Sequence, residues 1–228
     1  MQPALLFAIV DPKLVLAGSV IGLAIVIGVG AARRLSHRER GDPGVEGNAR
    51  LTGYAAVILL IPLLAETITG VRPGLEAHAL LGFGLIPAVL LKLGSVSYRF
   101  VRYYAGDRGY RAAGPPAPLT RVLGPVVVVL TVVLFTTGVE LWLFGFELGD
   151  AWLAWHKLAF ALWFPAMTIH VVAYLSRAPE LAISDVRDRL GGTFERRALV
   201  VGSLLFGLAL ALAMLPFASP FALLPDTG

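Results

Sequence analysis

The sequence predicts an all-α integral membrane protein, a bundle of six transmembrane helices. Three observations carry the prediction. Of the 228 residues, 57% are hydrophobic and only 15% charged; the mean hydropathy is +0.78; and the apolar residues gather into six long stretches. So little polar surface cannot cover a soluble domain of this length. A bilayer core of roughly 30 Å, by contrast, is crossed by about 20 apolar residues in helical conformation. The stretches fall near 13–32, 51–70, 77–98, 122–145, 151–175 and 198–219, in a single transmembrane domain over residues 1–228.

Each stretch has readable flanks. The opening MQPALLFAIVDPK has a short apolar run without a basic start or a small-residue cleavage site, so it reads as a surface segment rather than a removable signal peptide. The first span runs into Arg33 and Arg34, and the second lies between Arg50 and the short connection VRPGLEA. The third passes from EAHALLGFG into SVSYRFVRYY, and the fourth follows AGDRGYRAAGPPAPLTR and ends at GFELGD. The fifth, opening in WLAWHKLAF, leads into SRAPELAISDVRDRLGGTFERR, after which the sixth closes the set. None of these connections is long enough to house a flavin- or nucleotide-binding domain.

Charge gives the orientation. Arg33, Arg34, Arg38, Arg40 and Arg50 fall between spans one and two, Arg99, Arg102, Arg108, Arg111 and Arg121 between three and four, and Arg177, Arg187, Arg189, Arg196 and Arg197 after five. The other side has Lys13 and Arg72 among Glu76, Glu147, Asp150 and Asp226. The positive-inside rule therefore puts the basic connections in the cytoplasm and both termini outside. The net charge of +4 is a topology signal, and no nucleic-acid partner is expected from it. The lipid bilayer is the first partner. The Ala, Val, Leu and Arg content points to the plasma (inner) membrane of a prokaryote.

There is no cysteine, which excludes disulfides, thiolate metal sites, iron–sulfur clusters and covalent haem attachment. Chemistry must then come from ionisable groups inside the spans, where they are costly and mark function. His37 lies in the first basic connection and carries little weight, whereas His78 opens span three and His156 and His170 both lie on span five. His156 and His170 are fourteen positions apart. At 100° and 1.5 Å per residue that step returns to within about 40° of one face and advances about 21 Å. Spans three and five both run from outside to inside, so His78 and His156 reach the same outer depth, where two facing imidazoles could hold one haem iron. The same step from His78 lands on Lys92, at the depth of His170.

Two parallel helices, each with two ligand positions fourteen apart, resemble the four-helix core of the transmembrane b-type cytochromes, including di-haem cytochrome b and cytochrome b561-like membrane subunits. The resemblance covers roughly residues 51–175 and rests on spacing and topology. It implies a central four-helix haem-binding core with one or two haem b. His78 and His156 would hold an outer haem, and His170 an inner one. Lys92 departs from the family's histidine. It is an amine ligand beside His170, or a bystander to a five-coordinate inner haem, or a side chain reaching the headgroups with no inner haem present. Arg99 and Arg102 are candidates for inner haem propionates, Lys157 and Arg72 for outer ones. Gly82, Gly84, Gly124 and Gly138 would leave gaps for a flat macrocycle. Glu66 and Glu140 would accept the second ring N–H of a ligand histidine, bind quinol protons, or be solvated interfacial carboxylates. The tryptophans at 142, 152, 155 and 163 read mostly as interfacial anchors.

The implied role is electron transfer across the membrane between quinone or one redox partner and a second partner, as a subunit of an oxidoreductase rather than a stand-alone enzyme. The competing expectation is a cofactor-free transporter or channel with a His/Lys-lined polar path, for which Pro87 and Pro165 would break the helices nine residues after His78 and His156. A bare metal-ion site on the same histidines is a third.

Overall fold

The computed structural model describes residues 12–34, 41–71, 75–145, 150–188 and 190–217. These form eight helices and no strand: α1 (Pro12–Ala32), α2 (Pro43–Val71), α3 (Leu75–Tyr104), α4 (Arg108–Ala112), α5 (Pro118–Phe144), α6 (Asp150–Tyr174), α7 (Arg177–Arg187) and α8 (Thr193–Met214). Six of them, α1, α2, α3, α5, α6 and α8, are long and apolar enough to cross a membrane. Their outer faces agree. Ile61, Val26 and Phe206 stand 77%, 68% and 66% exposed, which suits lipid and would be unfavourable in water. The chain is thus read as a multi-pass helical membrane bundle. The N-terminal segment, His37, Arg38, Arg40, Arg72 and the C-terminal tail lie outside the described residues.

Several helices outrun their apolar cores. The second begins at Pro43, eight residues before the apolar stretch, because Asp42 caps it, accepting from the Gly44 and Val45 amides at 2.8 and 3.2 Å. The third continues to Tyr104 through an amphipathic turn and stops at Gly106, whose φ of 91° suits glycine. Sequence reading also missed α4 and α7, which fold from the Gly/Pro/Arg-rich basic connections. Asp107 caps α4 through the Tyr110 amide at 3.1 Å.

The helices pack as two groups. In one, α2 lies against α3, α8 crosses α3, and α7 lies on α2; in the other, α5 pairs with α6, and α1 covers α6. The groups meet mainly where α3 approaches α5, with Phe135 packed on Leu59, Leu85, Ala88 and Val89. Within the first group, α3 and α8 cross so closely at Gly84 and Gly207 that a Cβ at Gly207 would run into the Gly84 carbonyl. Gly84 therefore serves helix packing, not a macrocycle gap. Within the second group, Leu123 and Val127 pack on Ala166, and the Trp163 indole donates to the Thr131 hydroxyl at 2.9 Å.

Arg50 does not lie in the first basic connection. Far from being a loop cation, it is a helix residue only 1% exposed. It pairs with Glu46 one turn back and with Asp188 at 3.2 Å, and approaches Asp185 at 3.6 Å. Asp185, itself fully buried, also pairs with Arg196 at the start of α8. This cluster joins α2, α7 and α8 at the basic end of the bundle.

Candidate functional site

Two helical hairpins each present one imidazole at the same end of the bundle. His78, in the first turn of α3, lies beside the last turns of α2. Its Nδ1 lies 3.0 Å from the Glu66 carbonyl oxygen and 3.2 Å from the Glu66 Oε1. A carbonyl can only accept, so Nδ1 carries the proton and the Nε2 lone pair is left free. His156 on α6 lies beside Thr137 on α5, with Nδ1 2.8 Å from the Thr137 Oγ1. Across the seam between the hairpins the two rings meet edge to face, centroids 6.2 Å apart and planes 84° apart.

That spacing has chemical content. When two imidazoles ligate one iron from opposite sides, their ring centres lie about 6 Å apart, since each metal–nitrogen bond is about 2 Å and each ring centre about 1 Å beyond it; ligation would also need the edge-to-face rings to rotate until both Nε2 atoms faced the metal. A glycine of the neighbouring helix lies against each ring. A Cβ at Gly70 would come within 2.9 Å of the His78 Cε1, and one at Gly138 within 3.5 Å of the His156 Cε1. Two imidazoles with Nδ1 engaged by the protein form a donor set that a haem iron could take. The fit is weaker for a bare ion: among the described residues no three His, Asp or Glu side chains cluster as ligands.

The rest of the expected site divides. Glu66 stands beside His78, with its Oε2 buried and lacking a hydrogen-bond partner, and Gly82 gives its carboxyl room, a Cβ there lying 3.1 Å from Oε1. Glu140 is half-buried, and the partner of His156 is Thr137, one turn earlier. Gly124 borders open space. Lys157 is exposed on α6.

Toward the opposite end of the same two helices stand Lys92 on α3 and His170 on α6. The Lys92 ammonium donates to the Thr52 carbonyl at 3.0 Å, and Thr52 hydrogen-bonds Ser95 within an Asn48–Ser95 network that joins α2 to α3. His170 packs on the Tyr174 ring at 5.0 Å and its buried Nδ1 has no partner. Arg102 pairs with Asp107 at 2.5 Å and lies 5.8 Å over the Tyr98 ring. Arg99 is half-buried on the preceding turn. Both belong to an aromatic and basic cluster that includes Tyr110, whose hydroxyl is held above the ordinary tyrosine range by burial and then by Tyr98.

Sequence reasoning missed Thr137, Gly70 and the Arg50–Asp185–Arg196 cluster. The pair Thr137-Gly138 was the available signal for the first: a hydroxyl next to a residue with no side chain, on the helix preceding the histidine helix. No family model, no curated protein and no solved structure matches this chain.

Proposed function

We propose that the protein is a membrane b-type cytochrome that carries electrons across the bilayer, with a haem b held between His78 and His156. The observation that carries the reading is the imidazole pair, with centroids 6.2 Å apart and both Nδ1 atoms engaged by the protein. Engaging Nδ1 orients a ligand ring and raises its basicity. When bound, haem would supply one-electron chemistry; the chain supplies ligation, orientation and insulation from water. Glu66 and Thr137 orient the rings, and the apolar faces of α2, α3, α5 and α6 keep solvent away.

The wider reading rests on the distribution of basic residues and on composition. With the basic ends of the helices in the cytoplasm, the pair lies near the outer surface of a prokaryotic plasma membrane and both termini face outward. Electrons would pass between the quinone pool or a cytoplasmic donor and a redox partner on the outer face. Lys92 and His170 mark the inner level, the place for a second haem if two are held.

The test is spectroscopic. Detergent-solubilised protein from haem-supplied cells is quantified by pyridine haemochrome and by reduced-minus-oxidised spectra, beside His78→Ala and His156→Ala. The expected result is a low-spin b-type spectrum that both substitutions abolish or convert to high spin. A colourless preparation would overturn the reading in favour of a His/Lys-lined transport path.

A further inference from the structure

We infer that Thr137 is the positioning residue for His156: its hydroxyl fixes the imidazole as the Nδ1–H tautomer and so keeps the Nε2 lone pair free. A threonine hydroxyl has one proton to give. The Thr137 Oγ1 lies 2.7 Å from the Val133 carbonyl oxygen and 3.2 Å from that of Leu134. Carbonyl oxygens only accept, so the hydroxyl proton is directed back into α5. What the hydroxyl turns toward His156, 2.8 Å away, is a lone pair. The Nδ1 must then be the donor, and the ring's remaining lone pair is on Nε2.

The same device occurs a turn and a half along α5, where the partner leaves no ambiguity. The Thr131 hydroxyl lies 2.7 Å from the Val127 carbonyl and accepts from the Trp163 Nε1 at 2.9 Å. An indole nitrogen can only donate. Thr131 therefore gives its proton to its own helix and its lone pair to a ring N–H on α6. Thr137 and His156 repeat that arrangement at the next rung of the same antiparallel pair. The third rung contrasts: His170, seven residues beyond Trp163, has a buried Nδ1 without a partner.

The geometry stands without any cofactor, but its consequence rests on the proposed haem ligation. An imidazole whose Nδ1–H is engaged is a stronger electron donor through Nε2 and favours the oxidised metal. His78 donates to a carbonyl beside a carboxyl, His156 to a neutral hydroxyl, so the two ligands would differ in donor strength and Thr137 would set the weaker one.

The test uses the full chain with ¹⁵N-labelled histidine, the His156 signals being assigned through His156→Gln. In haem-free protein, His156 should be in the Nδ1–H form in wild type and Thr137→Ser. Thr137→Val, which keeps the shape and removes the acceptor, should populate the Nε2–H form. In haem-loaded protein the midpoint potential should rise in Thr137→Val and return in Thr137→Ser, a rescue that simple packing would not give. Thr137→Ala serves as the second acceptor-free variant if valine does not fold. An unchanged tautomer together with an unchanged potential overturns the inference. A wild type that takes up no haem sinks the cytochrome reading instead, and the tautomer measurement still decides the role of Thr137.

Discussion

The ε-ammonium of Lys92 donates to the backbone carbonyl of Thr52 on the neighbouring helix, 3.0 Å away. The amine is therefore turned into the seam between α2 and α3, not outward to the headgroups. A lysine fourteen residues from His78 lies about 21 Å along the axis from it, too far to touch a haem held at the outer pair. Lys92→Met should leave haem bound at His78 and His156 undiminished, as measured by haemochrome content and the reduced spectrum. Loss of all haem in this variant would contradict that separation.

Gly70 and Gly138 make a graded pair. An alanine Cβ at position 70 would come within 2.9 Å of the His78 ring, whereas one at position 138 would be at an ordinary 3.5 Å from that of His156. Gly70→Ala should push the imidazole off its bond with Glu66 and lower haem retention several-fold. Gly138→Ala should retain it near the wild-type level. Haem loss to apomyoglobin, followed at the Soret band, ranks the two, and equal rates would refute the ranking.

Asp185 is fully buried between Arg50 and Arg196. Removing it leaves guanidinium groups enclosed without their shared counter-charge, which costs about 3–5 kcal/mol. Asp185→Ala should lower the thermal unfolding midpoint in detergent far more than Asp188→Ala, whose carboxylate is 26% exposed. A double-mutant cycle with Arg196→Met would then show strong coupling. Additive effects would count against the cluster.

Tyr110 lies in α4, outside the spans, with a buried hydroxyl that makes no hydrogen bond. Burial holds its ionisation above the ordinary value of 10.0. The sign follows from linkage. Above pH 10 the unfolded chain loses this proton first, so the folded state loses stability as pH rises from there. Tyr110→Phe should be close to neutral at pH 7 and should blunt the alkaline loss. Unfolding midpoints between pH 8 and 11 check this; a steeper decline in the variant would contradict it.

The six spans were legible because lipid imposes a crude requirement, about 20 apolar residues each, that composition reveals directly. The pairing of His78 with His156 was legible because both lie near the starts of spans that run in the same direction. The groups that hold those residues were not. Thr137 resembles any threonine bonded to its own helix, and only the neighbouring helix shows where its lone pair points. Arg50 was hidden differently. It follows a polar run and looks like a topology charge, until the Asp42 cap carries α2 back past it and buries it against residues more than 130 positions later.

That last separation bears on how the chain is made. Arg50 emerges from the ribosome long before Asp185, Asp188 and α8 exist, so α2 enters the bilayer with an uncompensated guanidinium apart from Glu46. Only when the final hairpin arrives is the charge enclosed. A chain cut short before α7 would keep only Glu46 of the three carboxylates around Arg50, and its α2 would lack the partners that enclose the charge.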